Sequence, residues 1–140
     1  MATTLAVGDR ASFTKTITES DIILYAGITG DMNPVHIDET FAKKSLFKQR
    51  IAHGMLSAGL ISTVLGTRIP GPGAIYLSQR LEFRKPVFIG DTITATVEVT
   101  AVEVDNPKKQ RVTLSTTCTN QDGTAVLTGE AMLIPPHTSD

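Results

Sequence analysis

Residues 53–66 read HGMLSAGLISTVLG, and after the histidine no charged side chain interrupts them. Apolar residues fall on nearly every side of a helix drawn through this stretch, while Gly54, Ser57, Ala58, Gly59 and Ser62 keep side chains small. A helix without a wet face is a buried one, and small residues let neighbouring backbone approach it closely. The spacing therefore predicts a central core helix of about three turns.

What surrounds that helix is read from the alternation on either side of it. After the breaker RIPGPG, Ile75, Leu77, Gln79, Leu81 and Phe83 alternate with Tyr76, Ser78, Arg80, Glu82 and Arg84. From Thr92 to Val104, Ile93, Ala95, Val97, Val99 and Ala101 alternate with polar partners such as Thr94, Thr96 and Glu98. Strands over 111–120 and 124–134 follow, joined by the turn NQDG, and one more is expected over 10–17. Long strands with one polar face and short connections pair antiparallel. The predicted fold is α+β: a curved antiparallel sheet wrapped around one buried helix, the hot-dog arrangement. Such a sheet has edges to cover, so a homodimer is expected.

The part before the central helix mixes helix and loop signals. Ile22, Ile23, Ala26 and Ile28 recur near helical spacing, with Thr18 or Ser20 as N-cap and Gly30 as terminator. Asp38 can cap a short helix through ETFAKKS, and 45–50 reads as loop. No linker or repeat divides the chain, so 1–140 is read as a single domain with an ordered core over about 5–134.

Composition narrows the partners. Lys and Arg number 13 against 14 Asp and Glu, a net charge of −1. That balance gives no electrostatic ground for nucleic acid or an anionic membrane. No apolar run approaches the roughly 20 residues of a membrane span, and the start MATTLAVGDR lacks the basic and apolar regions of a signal peptide. Cys118 is the single cysteine, so no intramolecular disulfide forms, and its place in a strand-like run suggests a buried inert thiol. A cytoplasmic location is the expectation.

The chemistry concentrates in ITGDMNPVHID, residues 28–38. Gly30, Asn33 and Pro34 are turn residues, and Asp31 and His36 have two readings. They are an Asx-turn acid and a satisfied loop histidine, or the two proton-handling groups of an active site. His53 reads as an N-cap or a buried hydrogen-bonded ring, and His137 as part of a frayed tail. Asp31, His36, Asp38 and His53 are possible metal ligands, but no recognised ligand spacing is present and no metal is expected. No G-x-G-x-x-G or G-x-S-x-G occurs, so neither a nucleotide cofactor nor a serine hydrolase is indicated.

TGDMNPVH followed by Ala42 resembles the G-D-x-N-P-x-H signature of the MaoC-like hydratases, with its small residue six places after the histidine. AHGM at 52–55 and FRKPVFIGD at 83–91 resemble two further blocks of that family, in the same order, and the likeness runs from about Leu5 to Ile134. Within the family the chain is most similar to the stand-alone (R)-specific enoyl-CoA hydratases that feed polyhydroxyalkanoate synthesis. The resemblance implies hydration of trans-2-enoyl-CoA to (R)-3-hydroxyacyl-CoA, with no cofactor. It implies Asp31 and His36 as the catalytic pair, both directed at the water, and the Gly54 N–H as oxyanion donor. The start of a helix suits that last role, because its first N–H groups are unpaired and its dipole favours negative charge.

Asn33 and Pro34 are expected to hold the loop, since neither titrates. Ser62 matches a serine that in relatives lies near the aspartate. It stands roughly 12 Å along the helix from Gly54, too far for the oxyanion pocket, and is left a supporting role. Leu65 and Leu77 are candidates for setting the depth of the acyl pocket. Arg84 and Lys85 are candidates for the phosphates of coenzyme A. The rival readings are a dehydratase acting on acyl carrier protein, a hot-dog thioesterase, and a non-catalytic subunit that binds acyl thioesters.

Overall fold

The computed structural model describes residues 5–105 and 110–137. Strand β1 is Arg10–Thr16, β2 Ile75–Phe83, β3 Thr92–Val104, β4 Gln110–Thr119 and β5 Ala125–Ile134. All pair antiparallel in one five-stranded sheet of order β1-β3-β4-β5-β2. The sequence pattern explains the central strands directly. In β3 Ile93, Ala95, Val97 and Val99 point inward and are buried, and in β4 Val112, Leu114 and Cys118 do the same. The β4–β5 turn is held by Asn120, whose Oδ1 accepts from the N–H groups of Asp122 and Thr124, while Gly123 takes a left-handed φ of 78°.

The described residues also form four helices: α1 Glu19–Thr29, α2 Pro34–Ile37, α3 Glu39–Lys43 and α4 Gly54–Thr67. Thr18 caps α1, its side chain accepting from Asp21 N–H while the Asp21 carboxylate accepts from Thr18 N–H. Such a reciprocal box is worth about 1 kcal/mol over an alanine cap. Gly30 ends the helix at φ 83°. Asp38 caps α3 as its sequence position suggests. The short α2 was not foreseen: one turn of helix sits inside the stretch that reads as a loop, started by Asn33 and Pro34.

Helix α4 lies against the concave face of the sheet. Ile61, Val64 and Leu65 pack with Val97, Leu114 and Leu127 in one continuous core. Burying each such side chain contributes about 1.5–3 kcal/mol. The helix is not buried all round, as its composition suggests. Met55, Gly59, Ser62 and Gly66 form an exposed stripe at helical spacing. Strand β2 likewise departs from the alternation expected of it, because it is a sheet edge. Ile75, Tyr76, Leu77 and Phe83 are all exposed, and a bulge between Tyr76 and Ser78 breaks its register with β5.

Candidate active site

The site is built from a chain of short turns. Gly30 reverses the chain out of α1, and Thr29 Oγ1 accepts from the Asp31 N–H at 3.2 Å. Asp31 Oδ1 accepts from Asn33 N–H at 3.2 Å, and Asn33 Oδ1 from Val35 N–H at 3.2 Å. Pro34 occupies the first turn of α2, where its missing N–H costs nothing. The turn reading of these residues is therefore correct as local geometry. Its consequence is that α2 turns His36 inward, to 8% exposure, while Asp31 stays exposed.

His36 is fixed from the other side by the segment leading into α4. Its Nδ1 lies 2.7 Å from the carbonyl oxygen of Ile51. A carbonyl only accepts, so Nδ1 carries the proton and Nε2 keeps a bare lone pair. The segment is itself tied down. Ile51 N–H donates to Val35 O at 3.3 Å, Arg50 Nε to His36 O at 2.7 Å, and Ala52 N–H to Val87 O at 2.7 Å. Arg50 also pairs with Glu19 at 3.0 Å, joining this segment to the start of α1. Burial lowers the pKa of His36 below 6.5, and proximity to His53 adds to the effect. The Ile51 hydrogen bond and the nearby Asp31 carboxylate act in the opposite sense. The ring is thereby kept neutral and basic near pH 7.

One donor atom from each of Asp31, His36 and His53 lies within 4.8 Å of the others. His53 is the buried hydrogen-bonded ring of its two expected forms. It occupies the N-cap position of α4 but makes no side-chain cap bond. Its Nε2 is instead 3.0 Å from the Asp31 carbonyl oxygen, and its ring stacks on His36 with centroids 3.9 Å apart and 31° between planes. Each ring already has one nitrogen held by a carbonyl, and the rings stack. The other nitrogen of His53, Nδ1, is buried and has no hydrogen-bond partner among the described residues.

Beside His36 opens a cavity of about 460 Å³ whose wall includes Gly54, Ser57, Phe83, Arg84, Lys85 and Val87. Gly54 is the first residue of α4, where the N–H has no intrahelical partner. A Cβ at Gly54 would lie 2.5 Å from Cε1 of Phe83, so the aromatic ring occupies the space that glycine leaves. Ser57, one turn along, is buried and its Oγ has no hydrogen-bond partner among the described residues. Nothing in the sequence distinguished Ser57 from the other small residues of the helix. Behind it, the Cys118 thiol donates to the Ser57 carbonyl oxygen at 3.6 Å, and burial pushes its pKa up to about 12. It is a core thiol, as its strand position suggests.

The remaining candidates separate. Ser62 and Leu77 line a second cavity of about 470 Å³, which shares Met55 with the first. Leu65 lines neither: at 1% exposure it belongs to the core, because its helical position faces the sheet rather than the groove. Its expected part in setting acyl depth has no basis in this geometry. Arg84 and Lys85 both stand at the first cavity, but Arg84 is engaged, its Nη2 2.5 Å from Glu82 and its Nε 3.1 Å from Thr128 Oγ1. Lys85 has no ion pair among the described residues. His137 is exposed in the tail.

The chain is similar over most of its length to proteins of known activity. It is 57% identical over 129 residues to an (R)-specific enoyl-CoA hydratase of Rhodospirillum rubrum, covering 92% of this chain and 87% of that one. It superposes with a TM-score of 0.90 and 43% identity on the (R)-hydratase of Aeromonas caviae involved in PHA biosynthesis, covering 96% and 100% of the two chains. It is also 38% identical to a mitochondrial 3-hydroxyacyl-[acyl-carrier-protein] dehydratase of Arabidopsis thaliana, covering 96% of this chain and 80% of that one. The MaoC like domain model matches residues 4–121. With a hot-dog sheet around α4 and the acid, histidine and helix start gathered at one end of that helix, the chain belongs to the MaoC-like family.

Proposed function

We propose that the protein is a lyase, an (R)-specific enoyl-CoA hydratase that reversibly adds water to trans-2-enoyl-CoA to give (R)-3-hydroxyacyl-CoA. The observation that carries this reading is the meeting of the Asp31 carboxylate and the His36 ring within 4.8 Å, close to the start of α4. Similarity to hydratases at 43–57% identity supports the same reaction.

The roles follow from chemistry. Water becomes a nucleophile at C3 when a base takes one of its protons, and C2 must gain a proton as the enolate collapses. The bare Nε2 of His36 and the Asp31 carboxylate grip one water. Between them they remove the proton from its oxygen and return a proton to C2, so that both additions occur on one face. Nothing beyond water is consumed, so no cofactor is required. The thioester oxygen carries negative charge in the transition state, and the Gly54 N–H at the positive end of α4 stabilises it. Asn33 holds the loop through its cap on α2.

The substrate's carrier is coenzyme A in this reading, with Lys85 placed to meet a phosphate. Ser62 and Leu77 form the wall of a groove along α4, continuous with the exposed stripe of that helix. That stripe and the apolar β2 edge support a homodimer. No described helix is long and apolar enough to cross a membrane. We place the protein in the cytoplasm, supplying (R)-3-hydroxyacyl-CoA for polyhydroxyalkanoate synthesis.

A second reading has one specific support, the similarity to acyl carrier protein dehydratases. The chemistry would be identical and run toward dehydration. Turnover of the same four-carbon enoyl group on coenzyme A and on acyl carrier protein separates the two. The hydratase reading expects loss of enoyl absorbance with the coenzyme A thioester at the higher kcat/KM. Preference for the carrier protein substrate would favour the second reading, and inactivity on both would refute the activity.

A further inference from the structure

His53 is the one buried titratable side chain at the site that the hydration steps leave without a part. It is 2% exposed and touches both members of the pair, each in a different way. Toward Asp31 it acts through the main chain, with Nε2 3.0 Å from the carbonyl oxygen. Because that oxygen only accepts, Nε2 must carry the proton. Toward His36 it acts through its face, the two ring centroids lying 3.9 Å apart. A third ring, Tyr25 of α1, packs on it at 4.5 Å and closes the stack. The His53 backbone, at the N-cap of α4, is continuous with the Gly54 N–H.

We propose that His53 is the positioning residue of the catalytic pair. Its Nε2–H holds the Asp31 main chain, and its ring backs the His36 imidazole. One side chain thus sets the position of the carboxylate and the plane of the base, on a backbone that also presents the oxyanion donor. The inference rests on the hydratase reading for its kinetic consequences and on geometry alone for its tautomer. Among the described residues, Asp31 otherwise has only sequence-local restraints, from Thr29 at the end of α1 and from Asn33 two residues on. The His53 bond is the long-range tie that relates this loop to α4. The groups facing His53 are His36, Asp31 and Tyr25, from α2, the 30–33 loop and α1 respectively. A ring that packs without donating would leave the carboxylate free to shift, and a displacement near 1 Å costs on the order of 100-fold in rate.

Two substitutions divide the two contacts. His53→Phe keeps a ring against His36 and removes the donor. His53→Gln removes the ring and offers an amide N–H to the Asp31 carbonyl. The expected result is a kcat loss of roughly 100-fold in His53→Phe with KM little changed, partly restored in His53→Gln. The acid limb of the pH–rate profile should also move in His53→Gln, because a group that faces the base has been replaced. Equal kcat for wild type and His53→Phe would overturn the proposal, as would a loss confined to KM or an equal loss in both variants. An independent measurement needs no variant and no turnover. Long-range ¹H–¹⁵N correlation of the imidazoles in the intact protein should show the His53 proton on Nε2. Finding Nε2 unprotonated would refute the tie to Asp31, while leaving the hydratase activity to be judged by its own assay.

Discussion

His36 and Ile51 are joined by a 2.7 Å contact between a ring nitrogen and a main-chain carbonyl, and this bond selects the nitrogen that can act as a base. With Nδ1 committed as a donor, only Nε2 is available to take a proton from water. Burial holds the ring's pKa below 6.5, so the basic form is present throughout the neutral range. The rate kcat/KM should therefore be flat near pH 7 and fall with a single-proton slope at a pH below 6.5. Stability should follow in the same window. The unfolded chain, with the higher pKa, binds more protons there, so stability falls as pH drops from 6.5 through the folded value. His36→Gln should flatten the titration-linked part of that fall in urea unfolding curves and lower kcat by about 10²–10⁴.

Asp31→Asn should separate chemistry from structure. The carboxylate is exposed, and among the described residues its one hydrogen bond is the Asn33 N–H donated to Oδ1, which an amide oxygen can also accept. Stability should stay within about 0.5 kcal/mol of wild type by denaturant midpoint. Turnover should fall by about 10²–10⁴. A large loss of stability would mean that the aspartate serves the turn first.

The same loop shows how far the residues could be read in advance. Turn chemistry at Gly30, Asn33 and Pro34 and the cap at Asp38 are local, and the chain folds there as those residue types dictate. The buried strands β3 and β4 were legible because two-residue alternation matches a half-buried sheet. The exposed character of β2 was not, because its residues alternate like those of a central strand while its edge position is set by topology. Helix α4 shows the same limit: an uncharged helix looks buried on every side, and only the sheet's curvature decides which stripe stays open. Leu65 and Leu77 have equivalent apolar character, and only the fold sends one to the core and the other to a groove. His53 was ambiguous because its partners, Asp31 and His36, are 22 and 17 residues away in sequence and met only through the turn of α2.

Gly54→Ala tests the start of α4. Its added Cβ would lie 2.5 Å from the Phe83 ring, which must then move. Phe83 is 55% exposed and can swing, so the fold should survive. Both residues line the cavity beside His36, so the shifted ring would disturb the pocket in front of the helix start, and in the oxyanion reading kcat should drop by about 10²–10³. A variant with wild-type kcat would remove Gly54 from the oxyanion role.

Ser57→Ala should stabilise the protein. A buried hydroxyl without a partner costs about 1–3 kcal/mol, and alanine removes it while keeping the helix. The urea midpoint should rise at unchanged slope. A fall would show that the hydroxyl has a hydrogen-bond partner in solution. The neighbouring Cys118, with its thiol pKa near 12, should resist iodoacetamide at pH 8 in both proteins.

The two cations at the cavity should differ in their effect. Lys85→Ala should raise KM for crotonyl-CoA about two- to fivefold, the range of an exposed charge pair. Arg84→Ala should do less, because its guanidinium is already taken by Glu82 and Thr128. Neither should affect a crotonyl thioester of N-acetylcysteamine, which has no phosphates. Equal effects on both thioesters would place these residues in the fold rather than at the coenzyme.

The central claim is that Asp31 and His36 deliver water to one face of an enoyl thioester. The most direct measurement incubates the purified protein with crotonyl-CoA and couples the product to dehydrogenases selective for each 3-hydroxy enantiomer. The prediction is rapid formation of (R)-3-hydroxybutyryl-CoA, lost in Asp31→Asn and His36→Gln. Formation of the (S) product, or hydration that persists in either variant, would contradict it.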